Sequence, residues 1–113
     1  MRQPAERVRD ILEAIDRIER YVDRGREEFE RDELIQNWFI RHIQIIGEAA
    51  RALPDEVRSL AADIPWRKII GMRHILVHDY FGIDLDFVWK TVACDLPSFK
   101  SRIEDLLAKL TQK

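Results

Sequence analysis

The spacing of apolar residues predicts helices along the whole chain. From Pro4 to about Arg24, apolar residues recur at three- and four-residue steps, and Gly25 follows at a point where a helix can end. A longer run extends from Asp32 to Leu53, and Pro54 stops it. No segment alternates with the period of two that strands require. The pattern predicts an all-α fold, an up-down bundle of four to five helices whose later members cover about 65–80, 84–94 and 97–110.

Two features of this pattern bear on packing. The helix that follows Asp32 is apolar around more than one face at its centre, which predicts contact with a second subunit and hence a homodimer. Its widened surface consists of Ile43, Ile46, Gly47, Ala49 and Ala50. Gly25 to Arg31 is expected to be a connector, with Phe29 as its anchor.

Composition narrows the class of protein. The chain has 113 residues, 46% hydrophobic and 35% charged, which predicts a single domain over residues 1–113. Its formal charge of −2 argues against nucleic-acid binding by bulk positive charge, so contact with RNA would need a local patch. The single cysteine, Cys94, fits a reducing compartment. With no run of 18 apolar residues, we expect a cytoplasmic protein without membrane association.

The most informative stretch lies in the helix that Pro65 opens. Leaving water costs an unpaired charged group several kcal/mol. Charged groups in an otherwise apolar helix are therefore paired with one another, exposed at an edge, or kept for chemistry. Within eight residues this helix carries Arg73, His74, His78, Asp79 and Tyr80.

Arg73 and His78 could together cleave RNA. A histidine can exchange a proton near neutral pH, and a guanidinium can bind a phosphate through two parallel hydrogen bonds. RNA carries its own nucleophile, the 2′-hydroxyl, so it needs only a base, an acid and charge stabilisation. On a straight helix the two residues would lie about 140° apart, which requires either a loosened helix end or a dimer. The alternative is structural: Arg73 pairs with Asp79 or Glu48.

Metal binding is the less favoured chemistry for this segment. His74 and His78 have the four-residue spacing of two metal ligands, but the third ligand would have to come from Asp79, Asp84, Cys94 or His42. We therefore predict no metal and no cofactor. Trp38, Trp66 and Trp89 are expected in the core. A basic rim around the site, or simply a solvated surface, is expected from Arg41, Arg51, Arg58, Arg67 and Lys68.

The run from Arg73 to Tyr80, RHILVHDY, resembles the R-x4-H-x-Y motif of HepT-like proteins, the toxins of HEPN/MNT toxin–antitoxin systems. The resemblance covers most of the chain, because further landmarks follow in order and spacing: IIGEAARALP from Ile45, IPWRKIIGMR from Ile64, HDYFGIDLDFVW from His78 and DLP from Asp95.

The resemblance implies a dimeric, metal-independent endoribonuclease with an HEPN fold, in which Arg73 and His78 match the catalytic pair. It also implies a partner, an MntA-like nucleotidyltransferase antitoxin that transfers AMP to the tyrosine matching Tyr80. His74 stands where many members have asparagine, and it could act as an auxiliary group, as could Asp79. The competing hypothesis is a non-catalytic helical dimer that serves as a protein- or nucleotide-binding subunit of a nucleotidyltransferase complex.

Overall fold

In the part of the chain that the structure describes, four long helices carry the fold and three short ones join them. The computed structural model describes residues 3–77 and 84–112, and for 74–77 it describes the helix but not the side chains. No strand occurs in these ranges, which confirms the predicted all-α class. In chain order the helices are α1 (Pro4–Val22), α2 (Arg26–Arg31), α3 (Glu33–Ala52), α4 (Asp55–Ser59), α5 (Trp66–Val77), α6 (Leu85–Lys90), a π-helical turn (Thr91–Asp95) and α7 (Leu96–Thr111).

The longest helix, α3, is the centre of the molecule. It packs against α1 on one side and α5 on the other, and α7 packs against α1. The core forms where the apolar stripes of these helices meet, because burying each side chain removes apolar surface from water. Its fully buried members include Ile11, Ile15, Phe39, Ile43, Ile46, Ile69, Met72 and Ile103.

The wide apolar surface of α3 is used within one chain. Ile43, Ile46 and Ala50 have no exposed surface, and Gly47 and Ala49 are also buried, since α1 and α5 cover two sides of the helix. The width of the stripe therefore reflects a central helix in a bundle. It no longer supports the expected contact with a second subunit, and the homodimer needs a different argument.

The helix boundaries follow local signals. Asp32 and Asp84 cap α3 and α6, accepting hydrogen bonds from the backbone N–H groups of Leu34 at 2.9 Å and Phe87 at 3.0 Å. Gly25 has a φ of 93°, a conformation that glycine adopts without steric cost, and it separates α1 from α2. The predicted connector was wrong in part, because Arg26–Arg31 forms a helical turn and a half; its anchor Phe29 is fully buried as expected.

The predicted helices over 84–94 and 97–110 are joined by a π-helical turn. Pro97 has no N–H to donate to the carbonyl of Ala93, and its ring crowds that carbonyl, so the chain widens at Thr91–Asp95 instead of continuing as regular α-helix. The helix from Leu85 to Thr111 therefore continues through a bulge. None of the described helices is long and apolar enough to cross a membrane.

Candidate functional site

Arg73 lies where α5 crosses α3 most closely. A Cβ atom placed on Gly47 of α3 would lie 3.1 Å from the Arg73 Cβ and 3.4 Å from the carbonyl oxygen of Ile69. The absence of a side chain at Gly47 thus lets the two backbones approach and places the start of the Arg73 side chain directly against α3. The next residue of α3, Glu48, reaches the other end of that side chain.

The Arg73 guanidinium is held by an ion pair. Its Nη1 atom lies 2.8 Å from the Glu48 Oε1, with 23% of the Arg73 side chain and 58% of the Glu48 side chain exposed. The structural pairing with Glu48, one of the alternatives drawn from the sequence, is therefore present. The contact is electrostatic rather than a well-aligned hydrogen bond, because Nη1 is buried and has no hydrogen-bond partner of acceptable geometry in the part of the chain that is described.

An open groove of about 550 Å³ runs past this ion pair, between α1, α3 and α5. Three guanidinium groups line it, those of Arg7, Arg41 and Arg73, against two carboxylates. Its remaining lining residues are Asp10, Gln44, Ile45, Glu48 and Ala49. Neither Arg7 nor Arg41 forms an ion pair within the described ranges. The groove therefore presents a local positive patch on a chain whose net charge is −2, which is the feature an RNA-binding role requires.

A second cavity of about 170 Å³ continues the groove along α1 and α3, sharing Asp10 and Ile45 with it. His42 lines this cavity although only 4% of the residue is exposed. Its Nδ1 lies 2.7 Å from the carbonyl oxygen of Trp38, and the two rings pack with centroids 4.3 Å apart. The carbonyl can only accept a hydrogen bond, so Nδ1 carries a proton and donates it to the Trp38 carbonyl.

The other predicted site residues lie outside the described part of the chain. His78, Asp79 and Tyr80 fall in 78–83, and the side chain of His74 is not described. The predicted end of this helix, near residue 80, falls there as well. Among the described residues, no three His, Cys, Asp or Glu side chains come together around a possible metal position. Because His74 and His78 are not part of that set, the absence of a metal site stays a prediction.

The five basic residues considered either as a rim of the site or as solvated surface do not gather at one place. Only Arg41 among them lines the Arg73 groove, whereas Arg58 and Arg67 line a separate cavity of about 610 Å³ between α4 and α5. Lys68 pairs with Asp95 at 3.3 Å. Arg7 was missed, because only the packing of α1 on α3 brings the N-terminal helix to this groove.

The expectation that the tryptophans belong to the core is confirmed for Trp66, which is 9% exposed. Trp38 and Trp89 are partly buried and pack against the core. Their rings are occupied by protein neighbours: Trp38 contacts Tyr21 and His42, and Trp89 contacts Phe29. Stacking on RNA bases would therefore require these contacts to be broken.

Comparison with known proteins identifies relatives over almost the whole chain. The family described as "Ribonuclease HepT-like" matches residues 11–106. The "Probable ribonuclease HepT" of Thermococcus cleftensis is 43% identical over 98 residues, covering 86% of this chain and 89% of that protein. A "Putative RNase" of Caldanaerobacter subterraneus subsp. tengcongensis is 36% identical over 92 residues, covering 81% of this chain and 82% of that protein. A "Putative RNase" of Methanocaldococcus jannaschii is 42% identical over 96 residues, covering 84% of this chain and 88% of that protein.

No solved structure matches the chain. The family match spans the core helices from α1 to α7 and includes every described residue of the groove except Arg7 and Asp10. The all-helical architecture and the arginine-lined groove agree with the sequence match. On this evidence the chain belongs to the HepT-like ribonuclease family.

Proposed function

We propose that the protein is a metal-independent endoribonuclease that acts as the toxin of a toxin–antitoxin system. The observation that carries the proposal is the position of Arg73: it lies in an open groove beside Arg7 and Arg41, on a chain whose relatives are named ribonucleases. Three guanidinium groups in one groove suit a polyanion, and a guanidinium can hold the scissile phosphate and stabilise the charge that develops on it.

The reaction would be an internal phosphoryl transfer. A base removes the proton of the 2′-hydroxyl, whose oxygen attacks the adjacent phosphorus, and the bond from phosphorus to the 5′-oxygen breaks as an acid protonates that oxygen. The products are a 2′,3′-cyclic phosphate and a 5′-hydroxyl, so the step consumes no water and requires no metal ion. His78 is proposed as the base or the acid, and Arg73 as the group that binds the phosphate. His74 and Asp79 are proposed auxiliary groups.

A homodimer would supply both proton-transfer roles. One imidazole cannot remove one proton and deliver another at the same moment, whereas a cleft between two chains would offer His78 from each. This requirement supports the dimer proposal independently of the apolar surface of α3. Light scattering on the purified protein should give twice the chain mass of 13.5 kDa. An active sample with the mass of one chain would contradict a cleft shared between two chains.

Glu48 would give way when RNA binds. More than half of its side chain is exposed, so the carboxylate can move into water while a phosphate oxygen supplies the negative partner that the mostly buried Arg73 side chain needs. A phosphate oxygen could then take its place next to Arg73. In the free protein the ion pair keeps the guanidinium directed into the groove.

The first test is cleavage of an end-labelled RNA in EDTA by wild-type protein, Arg73→Ala and His78→Ala. We expect each substitution to slow cleavage by at least about 100-fold, the effect of losing a charge-stabilising donor or a general acid–base group. Arg51→Ala removes an arginine from the same helix as Glu48 without touching the groove, so it should cleave at the wild-type rate. Full activity in both Arg73→Ala and His78→Ala would refute the assignment.

A second function remains open because Arg73 has a protein partner. If the Arg73–Glu48 ion pair is only structural, the chain is a non-catalytic helical module that binds a nucleotidyltransferase or its nucleotide. Wild-type protein that binds such an enzyme but cleaves no RNA would favour this alternative. The same cleavage assay therefore separates the two functions.

Regulation by a partner enzyme is part of the proposal. An MntA-like nucleotidyltransferase antitoxin would join the α-phosphate of ATP to the Tyr80 hydroxyl and release pyrophosphate, which adds bulk and negative charge beside His78 and repels RNA. Intact mass after co-expression with that enzyme should show AMP-sized increments on the wild type that disappear in Tyr80→Phe. Increments that persist in the variant would place the modification on another residue.

A further inference from the structure

Arg41 is a charged residue of the Arg73 groove that has no acidic partner in the described part of the chain. It lines the groove and is exposed to solvent. It forms no ion pair within residues 3–77 and 84–112, whereas the Arg73 guanidinium is paired with Glu48 at 2.8 Å. A guanidinium that no carboxylate neutralises is available to an anion that enters the groove.

The packing of α1 on α3 shows how the arginines are arranged along the groove. The indole N–H of Trp38 donates a hydrogen bond to the Arg17 carbonyl oxygen at 2.9 Å. Two turns further along α3, Ile45 lines the groove together with Asp10, which precedes Arg17 in α1. Residue numbers therefore rise along one helix as they fall along the other. This antiparallel arrangement places Arg7 toward the end of the groove that holds the ion pair.

Arg41 lies away from that end. It precedes Glu48 by seven residues on α3, which returns the helix to nearly the same face about 10 Å further along its axis. Neighbouring phosphates of an RNA strand are joined through one ribose and lie closer together than this. The long, flexible side chains of Arg41 and Arg73 can cover the difference. The groove thus has two cationic positions whose separation suits two consecutive phosphates.

We propose that Arg41 binds the phosphate next to the scissile one, so that the groove holds two consecutive phosphates of the RNA strand. This inference rests on the proposed ribonuclease function, because that function assigns the scissile phosphate to Arg73. A second contact on the same strand restricts its movement and helps to orient the 2′-hydroxyl toward the phosphorus. A ligand with only one phosphate would lack this contact.

The test is calorimetric titration at low salt with adenosine 3′,5′-bisphosphate, adenosine 3′-monophosphate and adenosine 5′-monophosphate. The bisphosphate carries its two phosphates on one ribose, as RNA does, and it has no following nucleotide to release, so cleavage plays no part. We expect wild-type protein to bind it about tenfold more tightly than either monophosphate, the lower end for a hydrogen bond between charged groups. Arg41→Gln should lose most of this preference.

Two variants and one ligand serve as matched controls. Arg7→Gln removes the same charge from the other end of the groove, so it should weaken all three ligands alike and keep the preference. Arg67→Gln alters the separate cavity between α4 and α5 and should change nothing. ADP has two phosphates that are joined directly, so it should gain less over adenosine 5′-monophosphate than the bisphosphate does.

Several results would overturn the inference. They are a bisphosphate that binds wild-type protein no better than the monophosphates or does not bind, an unchanged preference in Arg41→Gln, and an equal gain with ADP. Protein that cleaves RNA but lacks the preference would keep the ribonuclease function and lose only this second phosphate site. Protein whose preference depends on Arg41 but that cleaves no RNA would keep the two-phosphate groove and refute the ribonuclease function.

Discussion

At the scale of single residues, the pair formed by Arg73 and Glu48 combines two tasks. In the free protein, the carboxylate partly neutralises the guanidinium of Arg73, whose side chain is about three-quarters buried, and holds it near α3. When RNA binds, the same carboxylate competes with the phosphate for that guanidinium. Glu48 should therefore affect binding and catalysis in opposite directions.

Replacing Glu48 by Gln tests this double role. Without the competing charge, Arg73 should bind substrate phosphate more readily, and KM should fall about threefold. The guanidinium is also less firmly positioned, so kcat should fall about tenfold, which corresponds to roughly 1.4 kcal/mol of transition-state stabilisation. Steady-state cleavage kinetics measure both constants.

The matched control is Glu104→Gln, which removes an exposed carboxylate from α7, away from the groove. It should leave both constants unchanged. A variant Glu48→Gln with wild-type kcat and KM would show that the carboxylate neither positions Arg73 nor competes with RNA.

The sequence singled out Arg73 and one of its neighbours but not the others. Arg73 stood out because a charged residue in an apolar helix must be paired or used, and Glu48 was among its possible partners. Arg7 could not be identified, because the contact between α1 and the groove depends on tertiary packing rather than on any local pattern. The orientation of the His42 ring depends on its contact with the Trp38 carbonyl, which residue spacing does not reveal.

At the scale of helices, the close crossing of α3 and α5 determines where Arg73 lies. Gly47 permits the crossing, and a methyl group there would press on the Arg73 Cβ at 3.1 Å. Gly71, on α5, is a natural comparison, because a Cβ added there meets no atom within 4 Å. The two glycines should therefore respond differently to the same substitution.

Gly71→Ala should stabilise the protein by about 1 kcal/mol, the difference in helix propensity between the two residues, and raise the melting temperature by about 4 °C. Gly47→Ala has the same propensity gain but must separate α3 from α5, so its melting temperature should be lower than that of Gly71→Ala. Thermal unfolding followed by circular dichroism measures both.

The cleavage rate adds a second comparison between the glycine variants. Gly47→Ala displaces Arg73 by a few tenths of an ångström and should slow cleavage severalfold, whereas Gly71→Ala should not. Equal stabilisation and equal activity in the two variants would mean that the crossing does not constrain Arg73.

The helices themselves could largely be predicted, because their signals are local. Apolar periodicity located the four long helices, and caps at Asp32 and Asp84 marked where two of the helices begin. The short helix α2 was missed because six residues contain too little periodicity to distinguish a helix from a turn. The apolar width of α3 was read as a subunit contact, since a pattern alone does not say whether the same chain or another covers a surface.

At the scale of the whole molecule, a chain with net charge −2 must bind RNA through a patch rather than through its overall field. The groove provides such a patch with Arg7, Arg41 and Arg73. Arginines that lie elsewhere, such as Arg67 on the separate cavity between α4 and α5, should contribute less, because salt screens exposed charges that do not contact the bound strand. The salt dependence of binding can therefore locate the patch.

The most direct measurement is the slope of log affinity against log salt concentration for a non-cleavable 2′-O-methyl RNA. Each phosphate contact contributes about 0.7 to this slope for a single strand. Arg73→Gln should therefore reduce the magnitude of the slope by about 0.7 relative to wild type, and Arg67→Gln should leave it unchanged. Equal slopes for wild type and Arg73→Gln, or equal reductions in both variants, would contradict a phosphate contact at Arg73.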